Sequence, residues 1–387
     1  MSRPIHVLLL PQYFPTAGSP GKGSFIVDLF NGLSSIGIDV GVIYPSFWGI
    51  KDDLKAFRGG KSEMVLPPTA RTKIIVANYP RIPIGLFHFY QWRIVVEKLF
   101  NRYVATNGMP DIINAHGYWT SNSARMISKK YNIPYLLTEH GSYFMSSAAT
   151  DYKSRWFRSA FEDANCVTAV SSFLAEAIGR LYNNVKIRVV PNGLDEGLFS
   201  LKRNQLAKGF HLLSVGHLLP IKGQRMLLRA FQSAFENDRD VYLTIVGEGP
   251  DRRELEAFVE ANYLQDQVTF LGHLTRKDVM AQMQNSDALV ISSSFETFSV
   301  VAIEALFTGI PIVSTKCGGP QAIIGPRDGW LVEKDNLNAM INGLLHAREY
   351  TKELDAEEIR RNAIERFAIS NVSQKYVDLY LEALGWG

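Results

Sequence analysis

Two glutamates, Glu296 and Glu304, flank seven residues in Ser293-Ser294-Phe295-Glu296-Thr297-Phe298-Ser299-Val300-Val301-Ala302-Ile303-Glu304, directly after an apolar run. If a helix begins near Thr297, its first backbone amides and its dipole form an anion site, suited to a diphosphate, along Thr297, Phe298, Ser299 and Val300. Glu296, in the preceding loop, then offers lone pairs to sugar hydroxyls. Glu304, more than a turn into the helix, can grip a ribose diol. The same spacing also reads as one capping glutamate and one solvated helix glutamate, because glutamate is abundant in helices.

His116-Gly117-Tyr118-Trp119 follows a second apolar run. Aromatic rings beside a polar histidine suit stacking on a pyranose face, which makes His116, Tyr118 and Trp119 candidate acceptor contacts; a satisfied loop histidine beside core aromatics explains them equally well. Gly21 and Gly23, in the glycine-rich stretch 16–25, permit main-chain approach to an anion, and an ordinary turn has the same composition. Val246-Gly247-Glu248-Gly249-Pro250-Asp251 is a near miss for a dinucleotide fingerprint. Arg252 occupies the third glycine position and Pro250 intrudes, which disfavours a nicotinamide oxidoreductase. Asp238-Arg239-Asp240 matches a D-x-D metal signature superficially, but it precedes a strand and is read as a turn. With no His, Cys or carboxylate cluster at metal-ligand spacing, no metal and no cofactor are expected.

The elements that must position these residues are βα units. Short Val-, Ile- and Leu-rich runs at 6–10, 40–44, 74–77, 112–115, 135–138, 166–170 and 187–190 alternate with amphipathic stretches, and the pattern restarts at 211–215, 241–246, 268–270, 288–292 and 312–314. This predicts an α/β protein of two doubly wound Rossmann-like domains, 1–195 and 206–368, facing each other across an inter-domain cleft. Pro191-Asn192-Gly193-Leu194-Asp195 lies at the hinge, and a helix within 369–387 packs back on the first domain. In such sheets ligands bind beyond the carboxyl ends of the strands, where the candidate residues fall.

The 387 residues, 46% hydrophobic and 20% charged, suffice for two cores. Cys166 and Cys317 are too few for a disulfide framework, which points to a reducing compartment. The first apolar run is too short for a signal peptide and none is long enough to span a bilayer, so a cytoplasmic location is expected. The net charge of +3 hides an asymmetry: residues 1–200 carry 21 Lys and Arg against 14 Asp and Glu, and residues 201–387 carry 20 against 24. The basic half suits an anionic lipid, acceptor or nucleic acid by long-range attraction.

The stretch from Glu296 to Glu304, followed by Gly309-Ile310-Pro311 and by Cys317-Gly318-Gly319-Pro320, resembles the retaining glycosyltransferases of family four, which have the GT-B fold. The resemblance spans nearly the whole chain. It implies that Glu296 contacts a donor sugar and Glu304 a ribose. Val215-Gly216-His217-Leu218-Leu219-Pro220-Ile221-Lys222-Gly223 is similar to the family's first C-domain loop, so Gly216, His217 and Lys222 are implied donor contacts; His217 stands where arginine is usual. The resemblance also places base contacts near Gly272, and it aims His140, in Thr138-Glu139-His140-Gly141, at the donor sugar or acceptor. Ala322 and Thr297 depart from the family pattern, at positions where glutamate and glycine are common.

The implied function is metal-independent transfer of a sugar, with retention, from a nucleoside-diphosphate sugar to a glycan or lipid-linked saccharide in bacterial surface polysaccharide synthesis. A UDP-sugar is favoured and a GDP-sugar is the second choice, with His140 and Glu296 at the reacting centre. A sugar-nucleotide epimerase, or a non-catalytic relative that binds nucleotide sugar, is the alternative. Aromatics beside Lys and Arg in 87–93 through Arg102, and in Lys153, Arg155, Trp156, Phe157 and Arg158, can also seat the first domain on the inner face of an anionic membrane. A packed core stripe with a solvated face has the same composition, so the membrane reading leans on the resemblance. No nucleic-acid partner is expected.

Overall fold

The computed structural model describes residues 3–16, 21–48, 73–81, 85–145, 152–201 and 208–386. The chain forms two compact units, Met1–Gly193 with Ile369–Gly387, and Leu194–Ala368.

In the first unit seven parallel strands, β1 (His6–Pro11), β2 (Asp39–Trp48), β3 (Lys73–Pro80), β4 (Ile112–His116), β5 (Tyr135–Glu139), β6 (Cys166–Ala169) and β7 (Ile187–Val189), lie in the order β3-β2-β1-β4-β5-β6-β7. Every residue of β1, β4 and β5 is buried, as expected for central strands covered on both faces. Helices α1 (Ser24–Ser35), α2 (Gly85–Asn107), α3 (Tyr118–Tyr131), α4 (Tyr152–Glu162) and α5 (Ser172–Leu181) connect them.

The second unit repeats the plan with β8 (Phe210–Val215), α6 (Gln224–Phe235), β9 (Val241–Val246), α7 (Arg252–Ala261), β10 (Val268–Gly272), α8 (Arg276–Gln284), β11 (Ala288–Ile291), α9 (Val300–Phe307), β12 (Ile312–Thr315), α10 (Gly319–Ile323) and β13 (Gly329–Val332). Its strand order is β10-β9-β8-β11-β12-β13, all parallel. Helices α11 (Leu337–Tyr350) and α12 (Ala356–Phe367) complete this unit, and α13 (Ile369–Leu384) returns to the first unit against α1. Leu227, Leu228, Phe231 and Phe235 of α6 join Leu212, Leu243 and Leu344 in one core; each such side chain contributes about 1.5–3 kcal/mol on burial.

Strand order reverses between β1 and β4 in one sheet and between β8 and β11 in the other. At such a switch point the flanking helices leave on opposite faces, and the gap beyond the carboxyl ends is where doubly wound sheets take ligands. Asp238, Arg239 and Asp240 lie in the turn entering β9, at the opposite end of the sheet.

Candidate functional site

In the second unit, the loops after β8, β11 and β12 are tied into one surface at the switch point. Ser294 N donates to Ile221 O (2.9 Å), Ser292 Oγ to Lys222 O (2.9 Å), and Glu296 N to Cys317 O (2.9 Å). Two glycines make this closeness available. Gly223 has φ 69°, and a Cβ there would meet Ser292 O at 2.1 Å; a Cβ on Gly319 would meet Phe298 N at 2.3 Å.

On this surface Lys222 Nζ lies 2.5 Å from Glu296 Oε1, which also accepts from Ser293 Oγ at 2.9 Å. Both side chains are about a quarter exposed or less, 26% and 16%, so the pair is screened only partly and remains reachable from solvent. An ammonium and a carboxylate held side by side can serve an anionic group and a hydroxyl-bearing group at once.

The helix expected near Thr297 begins three residues later, at Val300, with Ser299 as its N-cap at φ 93°. A non-glycine residue in that region carries strain of order 1–3 kcal/mol. It turns the chain so that the first-turn amides belong to Val300 and its successors, while Thr297 precedes the helix. Phe298 is 3% exposed, packs its ring on Phe367 and lies under Gly319, so its side chain braces the loop instead of facing a ligand.

Glu304 is 9% exposed and receives Arg276 Nε at 2.9 Å. Arg276 opens α8 just beyond β10, so the pair joins two βα units, and sequence reading passed over it. Gly272, at φ 70°, sits at the end of β10, where a Cβ would meet Glu248 Oε1 at 2.8 Å. Gly216 needs glycine for no such reason, since a Cβ there meets nothing within 4 Å. His217 is exposed, and its carbonyl accepts from Gln224 Nε2.

In the first unit, β4 and β5 run in register with His116 opposite Thr138, so His140 emerges on the same side two residues further on. His116 Nδ1 and His140 Nε2 are 2.9 Å apart with the rings stacked at 5.2 Å, and Phe25 of α1 covers His140 at 4.4 Å. One nitrogen donates and the other accepts, so the pair shares a single proton. Burial holds His116 well below its ordinary value and pushes His140 down to about 3. Both are neutral hydrogen-bonding rings near neutral pH.

His116 is only 2% exposed. Little of its ring reaches solvent, and its Nδ1 is engaged with His140. Tyr118 stacks on Tyr143 at 4.4 Å, and Trp119 lies in an aromatic cluster with His88, Phe89 and Phe157; both remain half-buried. Gly23, at φ 79°, is demanded by Tyr13 O, which a Cβ would meet at 2.4 Å, whereas Gly21 has open space. Residues 17–20 of that glycine-rich stretch lie outside the described residues.

Two supports of this site were not foreseen. Glu139 Oε1 accepts from His140 N (3.0 Å) and Gly141 N (2.7 Å), which fixes the main chain that carries His140. Beneath the histidines, Asn114 Nδ2 donates to Tyr380 OH (2.8 Å), Thr138 Oγ1 to Asn114 Oδ1 (3.1 Å) and Thr168 Oγ1 to Thr138 Oγ1 (2.9 Å). Tyr376 of α13 packs on His116 at 6.4 Å. The last helix thus underpins the site.

A pH dependence follows. Buried neutral histidines bind fewer protons folded than unfolded, so stability from His116 and His140 is complete above about 6.5 and is lost as pH falls toward His140's lowered value. Glu139, pushed up to about 7 by burial against its ordinary 4.5, acts oppositely: its protonated form favours the fold, offsetting part of the loss between pH 6.5 and 4.5. Thermal unfolding across pH should show a shallow decline to 4.5 and a steep one below. Glu139→Gln, which keeps an oxygen for both amides, should make the decline steep from pH 6.5.

Two family models match the chain nearly end to end. Residues 21–198 match the model described as Glycosyltransferase Family 4, and residues 200–366 match Glycosyl transferases group 1. The chain belongs to the family-four glycosyltransferases. This family-four chain is 28% identical to an uncharacterized glycosyltransferase of Bacillus subtilis over 54% of its own length and 59% of the relative's. It is 26% identical to the UDP-Gal:alpha-D-GlcNAc-diphosphoundecaprenol alpha-1,3-galactosyltransferase of Escherichia coli, over 70% of this chain and 75% of that one. Among solved structures, sucrose-phosphate synthase from Thermosynechococcus elongatus superposes with a TM-score of 0.78 at 21% identity, covering 99% of this chain and all of that one. The two parallel-sheet α/β domains are those of the GT-B fold.

Among the described residues no three His, Cys, Asp or Glu side chains gather as a metal-binding group. Nor is any described helix long and apolar enough to cross a membrane.

Proposed function

We propose that this protein is a retaining glycosyltransferase that takes a sugar from a UDP-sugar, with GDP-sugar as the second choice, and passes it to a glycan or lipid-linked saccharide in surface polysaccharide assembly. The observation that carries the reading is the Lys222–Glu296 pair, set at the strand-order reversal of the second unit. A diphosphate draws Lys222 to itself, which frees the Glu296 carboxylate to accept hydrogen bonds from sugar hydroxyls. Lys222 and the first-turn amides of α9 then balance charge on the departing diphosphate, the task a metal performs elsewhere. Neutral His140, held by Glu139 and His116, orients a hydroxyl without presenting a competing cation. The E. coli relative, named for a UDP-sugar donor and a lipid-diphosphate acceptor, supports the choice of substrates.

Thermal-shift titration with UDP-, GDP-, ADP- and CMP-sugars, in EDTA, tests the donor. Stabilisation by one diphosphate sugar is expected, about 2.7 kcal/mol at a hundred-fold excess over Kd. Stabilisation only when a divalent metal replaces EDTA overturns the metal-free reading. Interconversion of the sugar nucleotide without any acceptor identifies an epimerase instead.

A further inference from the structure

The hydrogen bond between the two histidines of the first unit leaves one proton to be placed. Each neutral ring carries a single N–H. His116 Nδ1 and His140 Nε2 face each other at 2.9 Å, so one of the two protons lies between them. The other must sit on an outer nitrogen, either His116 Nε2 or His140 Nδ1. Neither outer nitrogen makes a full hydrogen bond among the described residues, but their surroundings differ.

His116 ends β4, a central strand with every residue buried. The Tyr376 ring, 6.4 Å away, is too distant to receive an N–H on its face. An N–H stranded at His116 Nε2 would be costlier than a bare lone pair there, because protein interiors leave acceptors under-satisfied more readily than donors. His140 stands just past β5 and is half-buried. The Asn192 side chain, in the segment after β7, interacts with it in the sense that favours a proton on the ring. With Nε2 engaged by His116, Nδ1 is the nitrogen on which the Asn192 amide oxygen can draw, through a contact too loose for a full hydrogen bond. Phe25 covers the His140 ring at 4.4 Å and Glu139 holds its main chain, so the two nitrogens are not free to change places.

We propose that His116 is a positioning residue: its Nδ1 donates to His140 Nε2, which places the His140 proton on Nδ1 and lets His140 meet a substrate hydroxyl only as a hydrogen-bond donor. The hydroxyl oxygen takes the place beside Nδ1 where the Asn192 side chain otherwise stands. A ring in this state has no free lone pair. His140 is thereby removed as the base for the acceptor's proton, which leaves the departing diphosphate, an anion once its bond to the sugar breaks, to receive it. That consequence rests on the transferase reading. The place of the proton does not.

Long-range proton–nitrogen NMR spectra of the full chain, labelled at histidine and free of substrates, locate the ring protons. The signals lost in His116→Asn and in His140→Gln identify the two residues. Protons on His116 Nδ1 and His140 Nδ1 are expected; protons on His116 Nε2 and His140 Nε2 overturn the proposal. In transfer assays His116→Leu should lower kcat about 10²-fold, the cost of a reacting group held about 1 Å out of place, with the donor KM unchanged. His116→Asn, whose side-chain amide stands where Nδ1 stood and can donate, should recover most of that loss. Wild-type kcat in His116→Leu, or equal losses in both variants, would reduce His116 to packing and overturn its role. The expected spectrum from a chain that transfers no sugar would sink the transferase reading alone and keep the proton on Nδ1.

Discussion

Lys222→Ala is expected to lower kcat/KM for sugar transfer by about 10²–10³-fold, most of it in kcat. The ammonium lies in the loop beyond β8, in salt-bridge contact with the carboxylate expected to face the donor sugar. Its charge matters most when the bond to the sugar breaks and the diphosphate gathers negative charge, and an interaction that strengthens at that moment appears in kcat. The fold should tolerate the change. Glu296 keeps the Ser293 hydroxyl and is solvent-accessible enough to hydrate, so the stability loss should stay near 1 kcal/mol. Lys222→Arg should recover part of the rate, because charge is kept while the fork geometry differs. Single-turnover kinetics on the three proteins distinguish the readings. A variant with raised KM and unchanged kcat would make Lys222 a binding residue only; one with unaltered kinetics would remove it from the site.

The loops of the candidate site were legible because strand ends are legible. β11 reads as an uninterrupted apolar run and β8 as one broken only by His211 and Ser214, and a doubly wound sheet has its ligand sites just past such strands. β13 was not foreseen, since Gly329–Val332 is a four-residue edge strand, half-buried throughout, with no run or alternation to detect. The start of α9 was misjudged because Ser299 adopts a conformation that sequence assigns to glycine, and only the packing of Gly319 on Phe298 reveals what holds it. Glu139 was overlooked because a glutamate at a strand end normally points to water. Here β5 is central and the side chain turns back to cap two amides. The contact between His116 and His140 could have been inferred from pairing β4 with β5, once their register was known. Arg276 could not have been inferred, because its partner lies 28 residues away on another βα unit.

That last pair supports the second large expectation. Glu304→Ala should weaken donor binding roughly 10–100-fold, the worth of a hydrogen bond to a charged group, and destabilise the protein by about 2 kcal/mol. The stability part arises from Arg276, 30% exposed beside a carboxylate that is 12% exposed. Removing this carboxylate from a half-covered guanidinium costs less than the 3–5 kcal/mol of breaking a fully buried pair. The binding part depends on Glu304 reaching a ribose hydroxyl while Arg276 holds it in place, and this can be separated from a general loss of structure. A 2′-deoxyribose donor removes the hydroxyl instead of the carboxylate. If the two touch, wild type should lose affinity for that donor, while Glu304→Ala should bind both donors equally. Equal discrimination by wild type and variant would place the ribose elsewhere and reduce Glu304 to the structural partner of Arg276. In that case Arg276→Met with Glu304→Leu should restore stability without harming donor binding, because a well-packed apolar pair replaces an ion pair at little cost.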